Sequence, residues 1–296
     1  MAVGTIVFGA SLVASRLIWY NLGLTPIRLP QQADESAAVA YLLIGSLLLS
    51  AGLLPLVRGM GGTVSQRSLT TAVFFYVAFG VAVSIESAIY ASVGGFDRMI
   101  LVFLLPCLAL SLVYVASSEG GERRQRFLEH LRRMLASRPA SAWAWRVVVS
   151  VAAFPIIYLV FGIIAAPLVM EFYREAGLGL TVPSIGTILG VQLLRSAMFL
   201  VVTIPILLFW VSSRRRLILA LGLAHFVFVF AYDIVLAYQL PISLVLTHGV
   251  EILLDSIVYA WVFVSLLRAG STTGTGGRGS ADSSGDIELR EQHPTR

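Results

Sequence analysis

The sequence predicts an all-α fold: a polytopic membrane helix bundle of about eight transmembrane helices, with N-terminus and C-terminus cytoplasmic. Composition is the first reason, since 57% of the 296 residues are hydrophobic and 12% charged, against about 25% charged in soluble domains. Apolar stretches of bilayer-spanning length also recur along the chain, separated by polar loops. Finally, every one of the 21 basic residues is arginine, and they concentrate in alternate loops as the positive-inside rule describes.

The first helix is expected over about 2–20. It lacks a basic leading segment and a small-residue cleavage site, which separates it from a signal peptide. Arg16 lies in its second half, followed by Trp19 and Tyr20, an aromatic pair suited to the membrane interface. After a loop with Pro26 and Pro30, an uncharged second helix spans about 37–57. The third, about 69–93, carries Glu86 and Tyr90 and ends at Gly94 and Gly95, and the fourth covers about 97–116.

The one substantial polar loop, 117–142, contains Phe127, Leu128, Leu131, Met134 and Leu135 at helical spacing. Arg123, Arg124, Arg126, Arg132 and Arg133 occupy the rest of its surface. This is the pattern of an amphipathic helix anchored on the bilayer and its anionic lipid headgroups at the cytoplasmic face. Four more spans follow, over about 143–170, 183–211, 217–238 and 241–268. They carry Pro155 and Pro167, then Gln192 and Arg195, then His225 and Asp233, then His248, Glu251 and Asp255. The transmembrane domain is thus 1–268, and the Gly-, Ser- and Thr-rich residues 269–296 are expected to be a disordered cytoplasmic tail. Arg58, Arg67, the arginines of 123–138, Arg214 to Arg216 and Arg268 share one side, which places the chain in the cell membrane as a multi-pass protein.

An internal echo, Glu86-Ser-Ala-Ile-Tyr-Ala91 with Asp255-Ser-Ile-Val-Tyr-Ala260, does not fit a duplication. Four plus four helices would pair the third with the seventh, whereas the echo pairs the third with the eighth.

Composition excludes several function classes. Without lysine there is no Schiff-base or phosphate-loop lysine. The single cysteine, Cys107, allows no intrachain disulfide and no paired-cysteine metal motif. The net charge of +5 reflects the loop arginines rather than nucleic-acid binding, and the oligomeric state is not specified. What remains is the last helix. His248, Glu251 and Asp255 stand at i, i+3 and i+7 and share one face, and ionisable groups in a span face a protein interior or a watered cavity. At 1.5 Å per residue, Arg16, Glu86, Asp233 and His248 lie roughly 8–12 Å below the outer surface, with Glu251, Arg195 and Asp255 at roughly 15–21 Å. Arg16, Glu86, Gln192, Arg195, Asp233, His248, Glu251 and Asp255 are therefore the candidate buried polar site. His225, in the inner half, is expected to be a packing histidine.

Three functions fit that site. It could bind or transport a small molecule or lipid, with or without proton coupling. It could be a structural network in a non-catalytic scaffold or accessory subunit, with Arg195 bridging Glu251 or Asp255. It could be a metal-assisted intramembrane hydrolase, with His248, Glu251 and Asp255 holding a divalent metal; no other cofactor is implied. In helix number, and in having one histidine on each of two late helices (His225 and His248), the chain is similar to the CAAX-processing and bacteriocin-processing intramembrane proteases. It departs from them at their Glu-Glu-x-x-x-Arg motif, because Glu171-Phe-Tyr-Arg174-Glu175 has another spacing. Ile252 also stands where their Asn or Asp would follow the second histidine. No family is assigned on this likeness.

Overall fold

The computed structural model describes residues 1–22, 35–90, 96–118, 126–174, 180–236 and 240–268. They form ten α-helices: α1 (Ala2–Asn21), α2 (Glu35–Gly59), α3 (Val64–Phe75), α4 (Ala82–Tyr90), α5 (Phe96–Ala116), α6 (Phe127–Ala136), α7 (Ala140–Val169), α8 (Ile185–Phe209), α9 (Arg214–Leu236) and α10 (Ile242–Leu267). A π-helical turn, Tyr76–Val81, joins α3 to α4 as one continuous rod. Among the described residues there are no strands, and seven helical segments are long and apolar enough to cross a membrane, α3 and α4 counting as one. The fourth expected span corresponds to α5, whose described apolar stretch, Ile100–Ala116, is shorter. Arg123, Arg124 and the tail 269–296 lie outside the described residues.

The turn expected over 58–67 is tighter in the structure. Thr63 caps α3 with a capping box: its hydroxyl accepts from the Gln66 amide at 3.4 Å, and the Gln66 carboxamide accepts from the Thr63 amide at 3.2 Å. This satisfies free N–H groups at the helix start and begins the helix five residues earlier than apolar periodicity alone suggests. Arg67 is thereby drawn inside the helix and buried, donating to the Val57 carbonyl at 3.1 Å and to Ser118.

The bundle is duplicated. Adding 150 to the bounds of α2 (35 and 59) gives those of α8 (185 and 209), and Val64, the start of α3, maps in the same way onto Arg214, the start of α9. The packing follows the duplication: α1 touches α2 and α5 as α7 touches α8 and α10, and α3 packs on α5 as α9 packs on α10. At the point where the halves meet, Met60 bridges Trp210. The Gly61 amide donates to the Phe209 carbonyl at 2.8 Å, and the Val211 amide donates to the Gly59 carbonyl at 3.0 Å. Such reciprocal bonds are those of an isologous, two-fold contact. Four helices per half leave both halves pointing the same way, so the pseudo-axis runs along the helices. Pro55 with Pro205 and Ser46 with Ser196 are among the few identical pairs. The Glu86–Asp255 echo plays no part, because Glu86 maps onto Leu236.

The halves are joined chiefly by α2 against α9. Without a hydrophobic force between helices in lipid, close approach depends on small residues. A Cβ on Gly45 would stand 3.0 Å from the Ala231 carbonyl oxygen and 2.8 Å from Val235, and one on Gly52 would stand 2.9 Å from Val227. Exposed Val, Ile and Leu on α1 and α7 form the outer, lipid-facing surface. Gly45→Val is expected to lower stability by about 1–3 kcal/mol through overpacking. Gly9→Ala, whose Cβ meets nothing within 4 Å, should leave thermal unfolding in detergent unchanged.

Candidate functional site

Two adjoining chambers lie between α4 of the first half and α7 to α10 of the second. The outer one, open to the surface, is lined by Glu86, Asp233 and His248 and by the rings of Tyr90, Tyr158, Tyr173 and Tyr232. The inner, smaller one is lined by Arg195, His225, Glu251, Asp255 and Tyr259. Glu86, Tyr158, Val229 and His248 border both and form the neck between them.

Arg195 is 3% exposed and anchors the neck. Its Nη1 donates to Glu86 Oε1 at 3.1 Å and to Gln192 Oε1 at 3.2 Å, the latter one turn earlier on α8. The guanidinium lies over Phe154 and Phe199, 5.5 and 5.8 Å from the ring centroids, which suits a weakly hydrated planar cation. Its partner is thus Glu86 on α4 and not the expected Glu251 or Asp255 on α10. Those two acids line the same inner chamber from α10. His248 stands between acids: Nδ1 is 3.0 Å from Glu251 Oε2 and Nε2 is 3.9 Å from Asp233 Oδ2. α7 can approach this pair because Gly162 has no side chain, and a Cβ there would meet Glu251 Oε1 at 3.3 Å.

Several buried polar atoms around the chambers have no hydrogen-bond partner among the described residues: Arg195 Nε, Asp233 Oδ2 and Asp255 Oδ1. Folded proteins satisfy nearly all such atoms, so a cluster of exceptions marks a place where a ligand, ion or water completes the bonding. The rest of the wall is tied down. Tyr158 donates to Tyr90 at 3.0 Å, Ser87 to Tyr232 at 2.9 Å, and Tyr259 bonds Ser196 at 3.1 Å. Thr181 is tied to the end of α4, its amide and hydroxyl donating to the Tyr90 and Ile89 carbonyls, both at 2.8 Å. Just outside the spans, burial followed by the nearby Glu86 and Glu251 carboxylates raises the Tyr173 phenol pKa above its usual value. It stays a neutral hydrogen-bonding group at physiological pH.

Seven of the eight expected site residues therefore meet here, namely Glu86, Gln192, Arg195, Asp233, His248, Glu251 and Asp255, although Gln192 lines neither chamber and joins through Arg195 and Tyr90. Arg16, half-buried on α1, lines neither chamber. His225 does not stand alone: it packs among Phe74, Phe199 and Tyr259 and also floors the inner chamber. Sequence reading missed Tyr158, Tyr173 and Tyr232, because a tyrosine in or near an apolar helix carries no signal of its own. Of the expected surface anchors, Arg126, Arg132 and Arg133 are exposed on or beside α6, where Glu129 pairs with Arg126 and Arg133.

Among the described residues no three His, Cys, Asp or Glu side chains converge closely enough to hold a metal ion. His248 Nδ1 is engaged by Glu251 at 3.0 Å, while Nε2 faces Asp233 at 3.9 Å, beyond hydrogen-bond distance. Comparison with known families, curated proteins and solved structures gives no match for this chain.

Removing one partner of the neck pair tests its burial. Arg195→Met leaves Glu86 unpaired in low dielectric and is expected to cost about 3–5 kcal/mol, read as a fall in the thermal midpoint in detergent.

Proposed function

We propose that this protein binds a small, positively charged molecule in the paired chambers and carries it across the membrane by rocking of its two halves. The observation that carries the reading is a break in the duplication. Where the first half has Leu42, Gly45, Val83, Leu101 and Leu105, the second has Gln192, Arg195, Asp233, Glu251 and Asp255. A four-helix unit of this topology is thus packed in the first half without these polar groups. In the second they surround space and leave polar atoms unpaired, which argues against packing glue as their whole purpose.

The balance of charge supports a cationic ligand. Glu86, Asp233, Glu251 and Asp255 oppose only Arg195 and His248, and excess negative charge in a low dielectric calls for protons or a cation. Tyrosine rings around the outer chamber add faces that attract positive charge. A cation entering the chambers replaces the neutralising protons, which makes binding proton-coupled. Sites between repeats that share one direction are a recurring arrangement in secondary transporters. With α5 counted as the eighth span and the arginine-rich loops cytoplasmic, both termini lie inside the cell and the mouth beside Tyr90 and Leu240 opens outward. The hydrolase alternative has no gathered ligand set among the described residues to support it.

Choline and its uncharged isostere 3,3-dimethylbutan-1-ol separate charge recognition from shape. The expected result is that choline, or another member of a panel of methylammonium and guanidinium ions, raises the thermal midpoint of the purified protein while its neutral isostere does not. Asp233→Asn should weaken that binding about tenfold, the effect of one lost charge contact. Equal stabilisation by neutral isosteres, or none by any cation of the panel, would overturn the reading.

A further inference from the structure

At the end of the bundle opposite the chamber mouth, four arginines gather round the last turn of α10. Arg146 Nη1 donates to the Leu266 carbonyl at 2.9 Å, and Arg138 reaches the Leu266 and Arg268 carbonyls at 3.5 and 3.4 Å. From the other side, Arg214 donates to Ser265 at 2.6 Å and Arg268 to the Ser212 carbonyl at 3.2 Å. Cations at a helix C-terminus are favourable, and capping accounts for the bonds to carbonyls. It does not account for the rest. Arg146 Nε and Arg268 Nη1 are buried without a partner. Among the described residues no carboxylate pairs with any of the four, and the neighbouring Glu129 is engaged by Arg126 and Arg133.

The arginines also crowd one another. Burial, with Arg146 beside it, lowers the pKa of Arg138, and burial, with Arg214 beside it, lowers that of Arg268. Two pairs of guanidiniums on either side of one helix end, with no carboxylate beside them among the described residues, are an incomplete arrangement. The surroundings place it at the membrane–water boundary. Arg138 sits over the Trp143 ring and Arg146 over Trp145, 5.0 and 4.7 Å from the centroids, and Trp143 Nε1 donates to the Leu135 carbonyl at 3.0 Å. Tryptophans mark the headgroup level, and α6, with its arginine face, adjoins them through that bond.

We infer that Arg138, Arg146, Arg214 and Arg268 form a binding site for a phosphate group, of the kind an anionic phospholipid headgroup carries, clamped between α7, the start of α9 and the end of α10. Guanidinium forks match phosphate oxygens in geometry and charge. The site differs from general anchoring by exposed Arg132 and Arg133, because three of its four arginines, Arg138, Arg146 and Arg268, are partly buried and bonded to backbone carbonyls. Its occupant would tie the two ends of the second half together, independently of what the chambers bind.

The test uses the full chain in detergent, with phosphatidylglycerol, phosphatidylcholine or inorganic phosphate as probe. The expected result is retention of phosphatidylglycerol over phosphatidylcholine in native mass spectrometry. Arg138→Gln and Arg268→Gln should each weaken it about tenfold, and Arg132→Gln should not. Competition by inorganic phosphate at millimolar levels assigns the site to free phosphate instead of lipid while upholding the phosphate chemistry. A photoactivatable phosphatidylglycerol on the unaltered protein keeps the proposal testable if the variants misfold: labels at 138–146 and 265–268 support it. Labels confined to 127–136, or no preference between the two lipids and no effect of phosphate, would overturn it.

Discussion

The ion pair between Arg195 and Glu86 is the interaction on which the rest of the second half depends. By the duplication, the crossing of α8 with α4 is the counterpart of the crossing of α2 with the end of α9. In the latter, Gly45 lets two backbones close onto each other, with Val235 and Ala231 filling the contact. In the former, an arginine occupies the glycine's place and holds a glutamate 3.1 Å away. One crossing is shut and the other is propped, and the space created by the prop becomes the neck of two chambers. The chain therefore turns a symmetric scaffold into an asymmetric one by a local change of residue type.

That change has an energetic cost that only part of the visible structure offsets. Arg195 has one carboxylate, one carboxamide and two aromatic faces for company, yet its Nε is unmet. Asp255 is 6% exposed with an oxygen unbonded. Buried pairs are seldom the most stable solution for a given volume, and polar groups inside a membrane mark pathways and sites far more than they mark glue. The tyrosines make the same point from the apolar side. Their hydroxyls bond each other and Ser87, which fixes their positions around an interior that the charges keep from collapsing.

Much of the helical framework was legible in the sequence because the length of apolar spans is a one-dimensional signal. So was the gathering of Glu86, Asp233, His248, Glu251 and Asp255, since helix position gives depth and depth limits which residues can meet. Three features were not legible, each for a physical reason. The pairing of Arg195 with Glu86 instead of Glu251 depends on rotation about the helix axis, and the π-helical turn at Tyr76–Val81 alters that rotation just before Glu86. The duplication leaves few identical residues, because lipid and core accept many apolar side chains at the same place. The early start of α3 is set by one threonine cap, which a hydropathy reading does not see. Arg16 shows the limit of depth alone: it lies at a similar expected level but on α1, which packs on α2 and α5 and lines neither chamber.

The central claim is that the Arg195–Glu86 pair exists to keep a cation chamber open rather than to hold the fold together. Replacing both charges at once, as Arg195→Met with Glu86→Leu, separates these roles, because no charge is left stranded. Thermal stability and cation binding should be measured on the same preparation. The account predicts stability within about 1–2 kcal/mol of the parent, as expected when a buried pair gives way to apolar groups of similar volume, together with loss of cation binding. A double variant that still binds cations like the parent, or one that no longer folds, would contradict it.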